Sequence, residues 1–318
     1  MKKRPLGNTG INVSEIAFGG VEIGIPYGIG VTGEKDMLSD NEAISLLHDA
    51  LDAGINFFDT ARMYGKSETI MGEAFKQRRD EVVICTKCRH LLDDKGKIPS
   101  SADLKEIIEN SLDESLVALQ TDHVEVFMLH QANLDILENE VISSLFLSLK
   151  EKGKIKATGI STYTPEETLK AIETGRWDVI QIPFNLMDQR HSSFFSMAQK
   201  KGIGLVMRSV LMKGLLSDRG KNLHPALDAV EKHIIGYKEL LVGTSFNLPE
   251  LATKFALSFP EVSSILVGID RKEYLTQAID SANGKYLEGD LLSRAINMAF
   301  PNPDFLNLHH WNQMNWLK

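Results

Sequence analysis

Apolar runs rich in β-branched and aromatic residues recur along the chain, each after an amphipathic segment. In the first cycle, NEAISLLHDALDAG (41–54) is followed by INFFDTA (55–61). Ile44, Leu47, Ala50 and Leu51 fall at helical spacing, and Gly54 is typical of a helix C-cap. The cycle therefore predicts a helix followed by a buried strand.

The same helix–strand cycle returns along the rest of the chain. It is found in SETIMGEAFKQ–EVVICTK, ADLKEIIENSLDESLVAL–HVEVFMLH, SSLFLSLKEKG–KIKATGIS, PEETLKAIETG–RWDVIQIPF, SSFFSMAQKKG–IGLVMRS and PELATKFALSFP–VSSILVGI. With EIAFGG near residue 17, these segments give eight strands separated by helices. Strands buried on both faces that alternate with helices form parallel sheets. Eight such units predict an α/β fold, the closed (β/α)8 TIM barrel.

Three further features complete the predicted architecture. RPLGNTGINVS, near the N-terminus, contains good turn chemistry and predicts a β-hairpin across one end of the barrel. The connection 211–248 after strand seven and the tail after Asp290 are too long for a minimal barrel, and long loops are usually functional. We expect both to lie over the barrel mouth. No Pro/Gly/Ser-rich linker divides the chain, so residues 1–318 are predicted to form a single domain.

Net charge and the distribution of apolar residues limit the binding partners and the cellular compartment that can be expected for the protein. A net charge of −8 argues against nucleic acid or an anionic membrane as a partner. The N-terminal MKKRPLGNTG lacks an apolar stretch after its basic residues, and no run of 18 apolar residues occurs elsewhere. We therefore expect no signal peptide, no transmembrane helix and a cytoplasmic location.

The two cysteines, Cys85 and Cys88, form a CxxC within VVICTKC. This spacing can indicate redox chemistry or half of a zinc site. On a strand, however, positions three apart point to opposite faces, and the chain has no second CxxC. We expect two buried thiols and no metal site.

Polar residues end most of the predicted strands. Because the C-terminal ends of barrel strands converge on one face, their side chains are expected to lie together. The titratable ones are Asp59 and Tyr64 after strand two, Lys87 after strand three and His130 after strand four. Strands five to eight are followed by Ser161, Gln181, Arg208, Ser209, Gly268, Asp270 and Arg271.

Asp, Tyr, Lys and His in one pocket suit acid–base chemistry at a carbonyl. A lysine ammonium beside Tyr64 is expected to lower the pKa of its hydroxyl, and an aspartate paired to the lysine fixes its position and charge. A fall of about three units corresponds to roughly 4 kcal/mol. Tyr64 could then protonate a nascent alkoxide while His130 orients the carbonyl. No side chain can supply a hydride, so a cofactor must.

These residues lie in motifs that resemble the aldo-keto reductase family. The motifs are AGINFFDTARMYGKSE (53–68), ICTK (84–87), VFMLHQ (126–131), IKATGIST (155–162), IQIPFN (180–185), MRSVLMKGLL (207–216) and ILVGIDR (265–271). They follow in order from about residue 4 to residue 280. The resemblance implies reduction of aldehydes or ketones, or oxidation of sugars or alcohols, by hydride transfer from or to a nicotinamide dinucleotide. It implies that Tyr64 is the general acid, that Lys87 and Asp59 tune it, and that His130 orients the substrate.

The resemblance also implies the residues that bind the cofactor. Ser161 and Gln181 fall where the family holds the nicotinamide carboxamide, and Arg208 falls where a stacking aromatic residue is common. The pyrophosphate and adenosine ends are assigned to Ser209, Leu211, Lys213, Gly214, Gly268 and Arg271. Thr162, Asp270, Tyr274 and Ala278 depart from the family pattern, and an acid at position 270 could repel a 2′-phosphate. NADP is the expected cofactor because Arg271 is present, with NAD as the alternative.

The substrate side is less defined. YGIGVTG (27–33) contains a GxGxxG, but Pro26 precedes it and no helix follows directly, as a Rossmann site requires. We interpret it as a loop at the barrel rim that presents Tyr27 to the substrate. The C-terminal tail, PDFLNLHHWNQMNWLK, either supplies aromatic walls such as Trp311 to a small carbonyl or sugar substrate or merely packs on the rim.

Two other functions remain open from sequence. The chain could be a cofactor-binding regulatory subunit without physiological turnover, or a Schiff-base aldolase that uses Lys87. Nothing in the sequence predicts the oligomeric state.

Overall fold

Eight parallel strands close into a barrel in the computed structural model, which describes residues 1–31, 33–93 and 95–317. They follow one another around the barrel in chain order, the last pairing with the first. The strands are β3 (Ile16–Gly19), β4 (Phe57–Asp59), β5 (Val83–Lys87), β6 (Val124–Leu129), β7 (Ile155–Ser161), β8 (Val179–Pro183), β9 (Gly204–Arg208) and β10 (Val262–Gly268). All residues of β4, β5 and β6 are buried, as strands covered on both faces require. The predicted barrel is confirmed.

A hairpin closes the N-terminal end of the barrel, also as predicted. Its strands are β1 (Lys3–Pro5) and β2 (Asn12–Ser14). Leu6 and Val13 pack with the inward residues of the barrel strands, among them Phe57 and Val126. The guanidinium of Arg4 donates hydrogen bonds of 2.8–3.0 Å to three backbone carbonyl oxygens between residues 257 and 262, which fixes the hairpin to the start of β10.

Helices cover the outside of the barrel. They are α1 (Val21–Gly24), α2 (Asp40–Asp52), α3 (Ser67–Phe75), α4 (Ser101–Ala118), α5 (Leu134–Glu138), α6 (Glu140–Glu151), α7 (Pro165–Thr174), α8 (Phe195–Lys200), α9 (Asp228–Gly236), α10 (Lys238–Leu241), α11 (Leu248–Leu257), α12 (Lys272–Ser281), α13 (Gly289–Asn297) and α14 (Leu308–Gln313). In α2, Ser39 caps the N-terminus with Glu42 in a capping box, and Gly54 follows its end with φ +95°. The chain therefore enters β4 at a position fixed by local signals.

The two long connections contain helices of their own. The segment between β9 and α11 carries α9 and α10, and the tail beyond α12 carries α13 and α14. Asn307, Leu308 and His309 of the tail reach the cavity at the C-terminal ends of the strands. The expected position of the tail is thus confirmed, although two helices, rather than an irregular segment, bring it there. That residues 1–318 form a single domain stays a prediction.

The thiols of Cys85 and Cys88 are free and buried, and burial raises the pKa of Cys88 to about 12. Within the described ranges, no helix has both the length and the hydrophobicity needed to cross a bilayer.

Candidate active site

A cavity of about 710 Å³ opens at the C-terminal ends of the barrel strands. Its wall includes the last residues of β3, β4, β7, β9 and β10 and Gln181 of β8, together with parts of the loop after β3, the connection after β9 and the C-terminal tail. Its size lies within the range of small-molecule sites.

Asp59 and Lys87 form a buried ion pair beneath this cavity. Each is the last residue of its strand, and β4 and β5 are neighbours in the barrel. The Lys87 Nζ donates to Asp59 Oδ2 at 2.6 Å and to the Thr60 carbonyl oxygen at 2.9 Å. The two side chains are 1% and 3% exposed. Gln181 donates from Nε2 to Asp59 Oδ1 at 2.9 Å, so both carboxylate oxygens have a partner.

The surroundings keep Lys87 charged. Burial by itself would lower the pKa of the ammonium, but the adjacent Asp59 carboxylate, with contributions from Tyr64 and Cys85, raises the pKa of Lys87 above its usual value. Lys87 is therefore a cation throughout the neutral range.

Tyr64 lies directly above this ion pair, in the turn that leads from β4 to α3. Its amide donates to the Ala61 carbonyl oxygen, and its own carbonyl accepts from Ser67, each at 3.0 Å. Gly65 continues the turn with φ +53°, and a Cβ there would lie 2.5 Å from the Gly24 carbonyl oxygen. The turn holds the Tyr64 ring with its centroid 4.9 Å from the Lys87 Nζ.

The expected fall in the pKa of Tyr64 is wrong in sign. Burial raises the pKa of the hydroxyl, and the attraction of Lys87, although it lowers the pKa, does not outweigh burial. Asp59 adds to the rise, and Arg208 opposes it. The neighbouring charge alone would lower the pKa of Tyr64, but desolvation of the buried hydroxyl reverses the sign.

His130 stands beside Tyr64, with ring centroids 5.3 Å apart and planes at 83°. Its Nδ1 is buried without a hydrogen-bond partner among the described residues. Burial, followed by the charges of Lys87, His90 and Arg208, lowers the pKa of His130 to about 3. The imidazole is therefore neutral at physiological pH.

His90 was not predicted from the sequence. Its ring meets that of His130 edge to face at 5.3 Å, and it lines the cavity. The available signal was its position in the loop just after Lys87, which a barrel fold directs over the mouth.

Most of the residues assigned to the cofactor line the cavity: Ser161, Gln181, Arg208, Ser209, Leu211, Lys213, Gly214 and Gly268. Ser209, Met212 and Lys213 have positive φ angles of 60°, 47° and 57°. Such strained backbone clusters at ligand sites. The segment after β9, with Ser209 and Lys213 at the cavity wall, therefore fits the phosphates of a dinucleotide.

Arg208 and Thr162, at two positions that depart from the family pattern, are in contact with each other. The Thr162 hydroxyl hydrogen-bonds Thr168 at 2.7 Å, and Thr162 does not line the cavity. Arg208 donates to the Thr162 carbonyl oxygen at 2.9 Å, and its Cζ lies 4.3 Å from the centroid of the Tyr163 ring. Arg208 and Tyr163 thus form a stacked pair at the cavity wall.

Arg271 does not line the cavity, whereas Asp270 does. The Arg271 side chain is 50% exposed, and its Nε lies 3.3 Å from Asp270 Oδ1. Its Cζ is 5.1 Å from the centroid of Tyr274, which lines the cavity and accepts a hydrogen bond from Arg219 through its hydroxyl at 3.2 Å.

The two residues assigned to the substrate have different positions. Tyr27 lines the cavity, and the Lys213 Nζ lies 4.6 Å from its ring centroid. Trp311 does not line the cavity: its side chain is fully buried and packs on Phe305 at 5.4 Å. The tail contributes Asn307, Leu308 and His309 instead.

The GxGxxG stretch forms a loop between α1 and a single 3₁₀ turn, Glu34–Asp36. Gly28 and Gly30 have positive φ angles, and Gly28 lines the cavity; Thr32 lies outside the described residues. No strand leads directly into these glycines, in contrast to a Rossmann turn. Over the described residues, no group of three or more His, Cys, Asp or Glu side chains could hold a metal ion.

Comparison with known proteins gives a consistent family. Residues 15–290 match the model described as "Aldo/keto reductase family". "Uncharacterized oxidoreductase YqkF" of Bacillus subtilis is 29% identical over 90% of this chain and 93% of that protein. "L-galactose dehydrogenase" of Arabidopsis thaliana is 30% identical over 84% of this chain and 83% of that protein. The structure of "aldo-keto reductase AKR11C1 from Bacillus halodurans (holo form)" is similar with a TM-score of 0.78 and 26% identity, over 94% and 96% of the two chains.

Proposed function

The chain belongs to the aldo/keto reductase family, and we propose that it is an NAD(P)H-dependent oxidoreductase in which Tyr64 transfers a proton to or from the substrate oxygen. It reduces an aldehyde, a ketone or the carbonyl form of a sugar, or runs the same chemistry in reverse. The observation that carries this proposal is the assembly of Asp59, Lys87, Tyr64 and His130 at one cavity.

Each of these side chains has a defined part in the proposed reaction. The nicotinamide, when bound, supplies the hydride. Tyr64 is protonated at neutral pH and gives its hydroxyl proton to the substrate oxygen. The neutral ring of His130 orients that oxygen through a hydrogen bond, and the Lys87 ammonium, held by Asp59, stabilises the tyrosinate that results.

A Schiff-base mechanism at Lys87 is disfavoured. Such a reaction needs a neutral amine as nucleophile. The raised pKa of Lys87 and the 2.6 Å bond to Asp59 keep the amine protonated and occupied.

The proposed substrate is a small hydroxylated carbonyl compound such as an aldose. The cavity wall includes the hydrogen-bonding side chains of His90, Gln131, Asn307 and His309. Side chains of this kind suit hydroxyl groups. The 30% identity to an L-galactose dehydrogenase supports the same class.

For the cofactor, the sequence expectation was NADP, because of Arg271. The structure supports the alternative, NADH, as the preferred donor. Arg271 does not line the cavity and is paired with Asp270, whereas Asp270 lines the wall. A carboxylate repels a 2′-phosphate and accepts hydrogen bonds from ribose hydroxyls.

The cofactor preference is tested by fluorescence titration with NADH and NADPH. We expect a lower Kd for NADH than for NADPH. Asp270→Asn should bring the two Kd values closer together by lowering the Kd for NADPH. Asp290→Asn, at an exposed site, is the control. Tighter binding of NADPH by the unaltered protein would refute the preference.

The function is tested with Tyr64→Phe and a panel of sugars and small aldehydes. We expect turnover to fall by about 10²–10⁴-fold, while the Kd for the cofactor changes by less than about twofold, because only the hydroxyl is removed. Tyr163→Phe removes a hydroxyl from the same cavity and should retain most of the turnover.

Two outcomes would count against the proposal. A Tyr64→Phe variant that keeps more than a tenth of the turnover would exclude the assigned role. Tight cofactor binding without turnover of any carbonyl by the unaltered protein would favour a regulatory binding module.

A further inference from the structure

Glu22 is a carboxyl group at the cavity wall to which the proposed function gives no role. It lies in α1, immediately after β3, and lines the same cavity as Tyr64. Its Oε2 is buried and has no hydrogen-bond partner among the residues that the structure describes. Leaving a buried polar atom unpaired costs about 1–3 kcal/mol, more for a charge, and such atoms often serve a ligand.

The position of Glu22 is set by Gly268. A Cβ on that residue would lie 2.0 Å from Glu22 Oε1, so the carboxyl packs directly against the glycine backbone at the end of β10. Any side chain at position 268 would displace it. Gly268 therefore makes room for this carboxyl group at the cavity wall.

Four titratable groups from different elements act on Glu22. Asp59 at the end of β4 and Asp270 after β10 oppose its ionisation, and Lys213 after β9 favours it. Tyr27 of the loop after α1 is the fourth, since Glu22 in turn raises the pKa of its hydroxyl. Burial is the largest effect. Together with the two aspartates it outweighs the hydrogen bond from the backbone N–H of Glu22 itself and the attraction of Lys213, and raises the pKa of Glu22 to about 8. The group is thus a neutral carboxylic acid at neutral pH and has an O–H to donate.

Glu22 lies on the expected path of the cofactor, an argument that rests on the proposed function. Asp59 and Tyr64 mark the nicotinamide end, Lys213 belongs to the pyrophosphate segment, and Asp270 marks the adenosine end. Glu22 packs on Gly268 and shares the wall of one cavity with Asp59, Lys213 and Asp270. A dinucleotide extended across the mouth must pass it. An ionised carboxylate there would repel a pyrophosphate, whereas a protonated one donates a hydrogen bond to it.

We propose that Glu22 binds the dinucleotide in its protonated form, donating a hydrogen bond to a phosphate oxygen, so that cofactor binding is coupled to one proton on this side chain. An anion bound against Glu22 favours its protonated form still further. While Glu22 is protonated in both the free and the bound protein, binding takes up no proton, and the affinity for the dinucleotide does not depend on pH. Once the free protein has lost that proton, binding must take one up, and affinity falls by about tenfold per pH unit.

The test is the Kd for NADH and for NADPH between pH 6 and 9.5, measured by nucleotide fluorescence without substrate. For the unaltered protein we expect a constant Kd up to about pH 7.5 and a rise of up to about tenfold per unit above pH 8. In Glu22→Gln, an amide still donates a hydrogen bond but does not titrate. We expect an affinity within about threefold of the low-pH value and no such rise.

Calorimetry at pH 8.5 in two buffers of different ionisation enthalpy counts the protons directly. The unaltered protein should take up a proton on binding, and Glu22→Gln should take up none. Tyr27→Phe, which removes the neighbouring phenol, should keep the proton uptake. If Tyr27→Phe abolishes it, or if Glu22→Gln shows the same pH dependence as the unaltered protein, Glu22 is not the coupled group.

The outcomes separate this inference from the proposed function. Cofactor binding and turnover without the pH coupling would overturn the role of Glu22 and leave the oxidoreductase standing. Failure of both nucleotides to bind at any pH would overturn both.

Discussion

Replacing Asp59 by asparagine tests the buried ion pair on which the proposed chemistry depends. The substitution keeps the shape of the side chain and removes its charge. Lys87, 1% exposed, would then face a neutral amide in place of the carboxylate, with the Thr60 carbonyl oxygen at 2.9 Å as its other acceptor. Removing one partner of a buried pair leaves an uncompensated charge, which costs about 3–5 kcal/mol. We expect the free energy of unfolding to fall by that amount.

The assay is urea unfolding at pH 7, with the denaturation midpoint and its slope fitted together. Asp228→Asn is the matched control. It removes one charge from the pair of Asp228 with Lys232. The N–O distance of this pair is 2.7 Å, but the Asp228 and Lys232 side chains are 63% and 73% exposed. Exposed pairs contribute about 0.2–1 kcal/mol. Both variants replace one carboxylate by an amide, so the difference between their losses of unfolding free energy measures the effect of burial.

The pH dependence gives a second readout with a defined sign. In the unaltered protein the pKa of Lys87 is raised above its usual value, so the stability from the pair is fully present between pH 6 and 9. Without Asp59, burial dominates and lowers the pKa of Lys87 below its unfolded value. The unfolded chain then binds the extra proton, and the deficit of the variant should shrink as pH rises from 7 to 9.5. A loss no larger than that of Asp228→Asn, or a deficit that grows with pH, would refute this reasoning.

Two further predictions concern packing and acid stability. Gly72→Ala should lower the free energy of unfolding, measured in urea, by about 1–3 kcal/mol, because the new Cβ would lie 2.3 Å from the backbone oxygen of Ala118. Gly236→Ala is the control: its Cβ would have its nearest contact at 3.8 Å, so this change should be neutral or stabilising. His191 is fully buried, and burial lowers its pKa to about 4, so stability is lost as pH falls from 6.5 towards 4. Between pH 7 and 5 the unaltered protein should lose about 2 kcal/mol more than His191→Gln, since one proton is worth about 1.4 kcal/mol per pH unit; equal losses in urea unfolding would contradict this.

The barrel could be predicted from the sequence because its determinants are local. Each strand is a short apolar run bounded by a helix end and a polar residue, and closure brings the C-terminal ends together without further information. Asp59 and Lys87 end neighbouring strands, so their meeting follows from chain order alone. The same holds for Ser161 and Gln181, which are paired across β7 and β8.

The side-chain positions that the sequence did not predict depend on how separate elements pack against one another. Trp311 is buried because α14 packs on the turn that carries Phe305, and nothing in the tail sequence determines which side faces the cavity. Thr162 turns away because Thr168 and His191 offer it a hydrogen-bonded chain. Glu22 follows β3 in a short helix, and its burial is set by Gly268, which lies at the other end of the chain. No pattern within a few residues of these positions encodes such partners.

The raised pKa of Tyr64 bears on how the proposed proton transfer takes place. In the resting protein, burial keeps the Tyr64 hydroxyl protonated and the His130 imidazole neutral. Lys87 remains charged despite its burial because Asp59 is beside it. Proton transfer to a substrate alkoxide would leave a tyrosinate with its ring centroid 4.9 Å from the Lys87 ammonium. The attraction between these charges is stronger in a buried site than in water, because the effective dielectric constant is lower. Burial still costs the tyrosinate more than this attraction returns, since the pKa of Tyr64 is raised, so the proton would pass only to a strongly basic oxygen such as a nascent alkoxide. On the proposed mechanism, Tyr64 would have to lose its proton before acting as a base in oxidation, so we expect carbonyl reduction to be the faster direction at neutral pH.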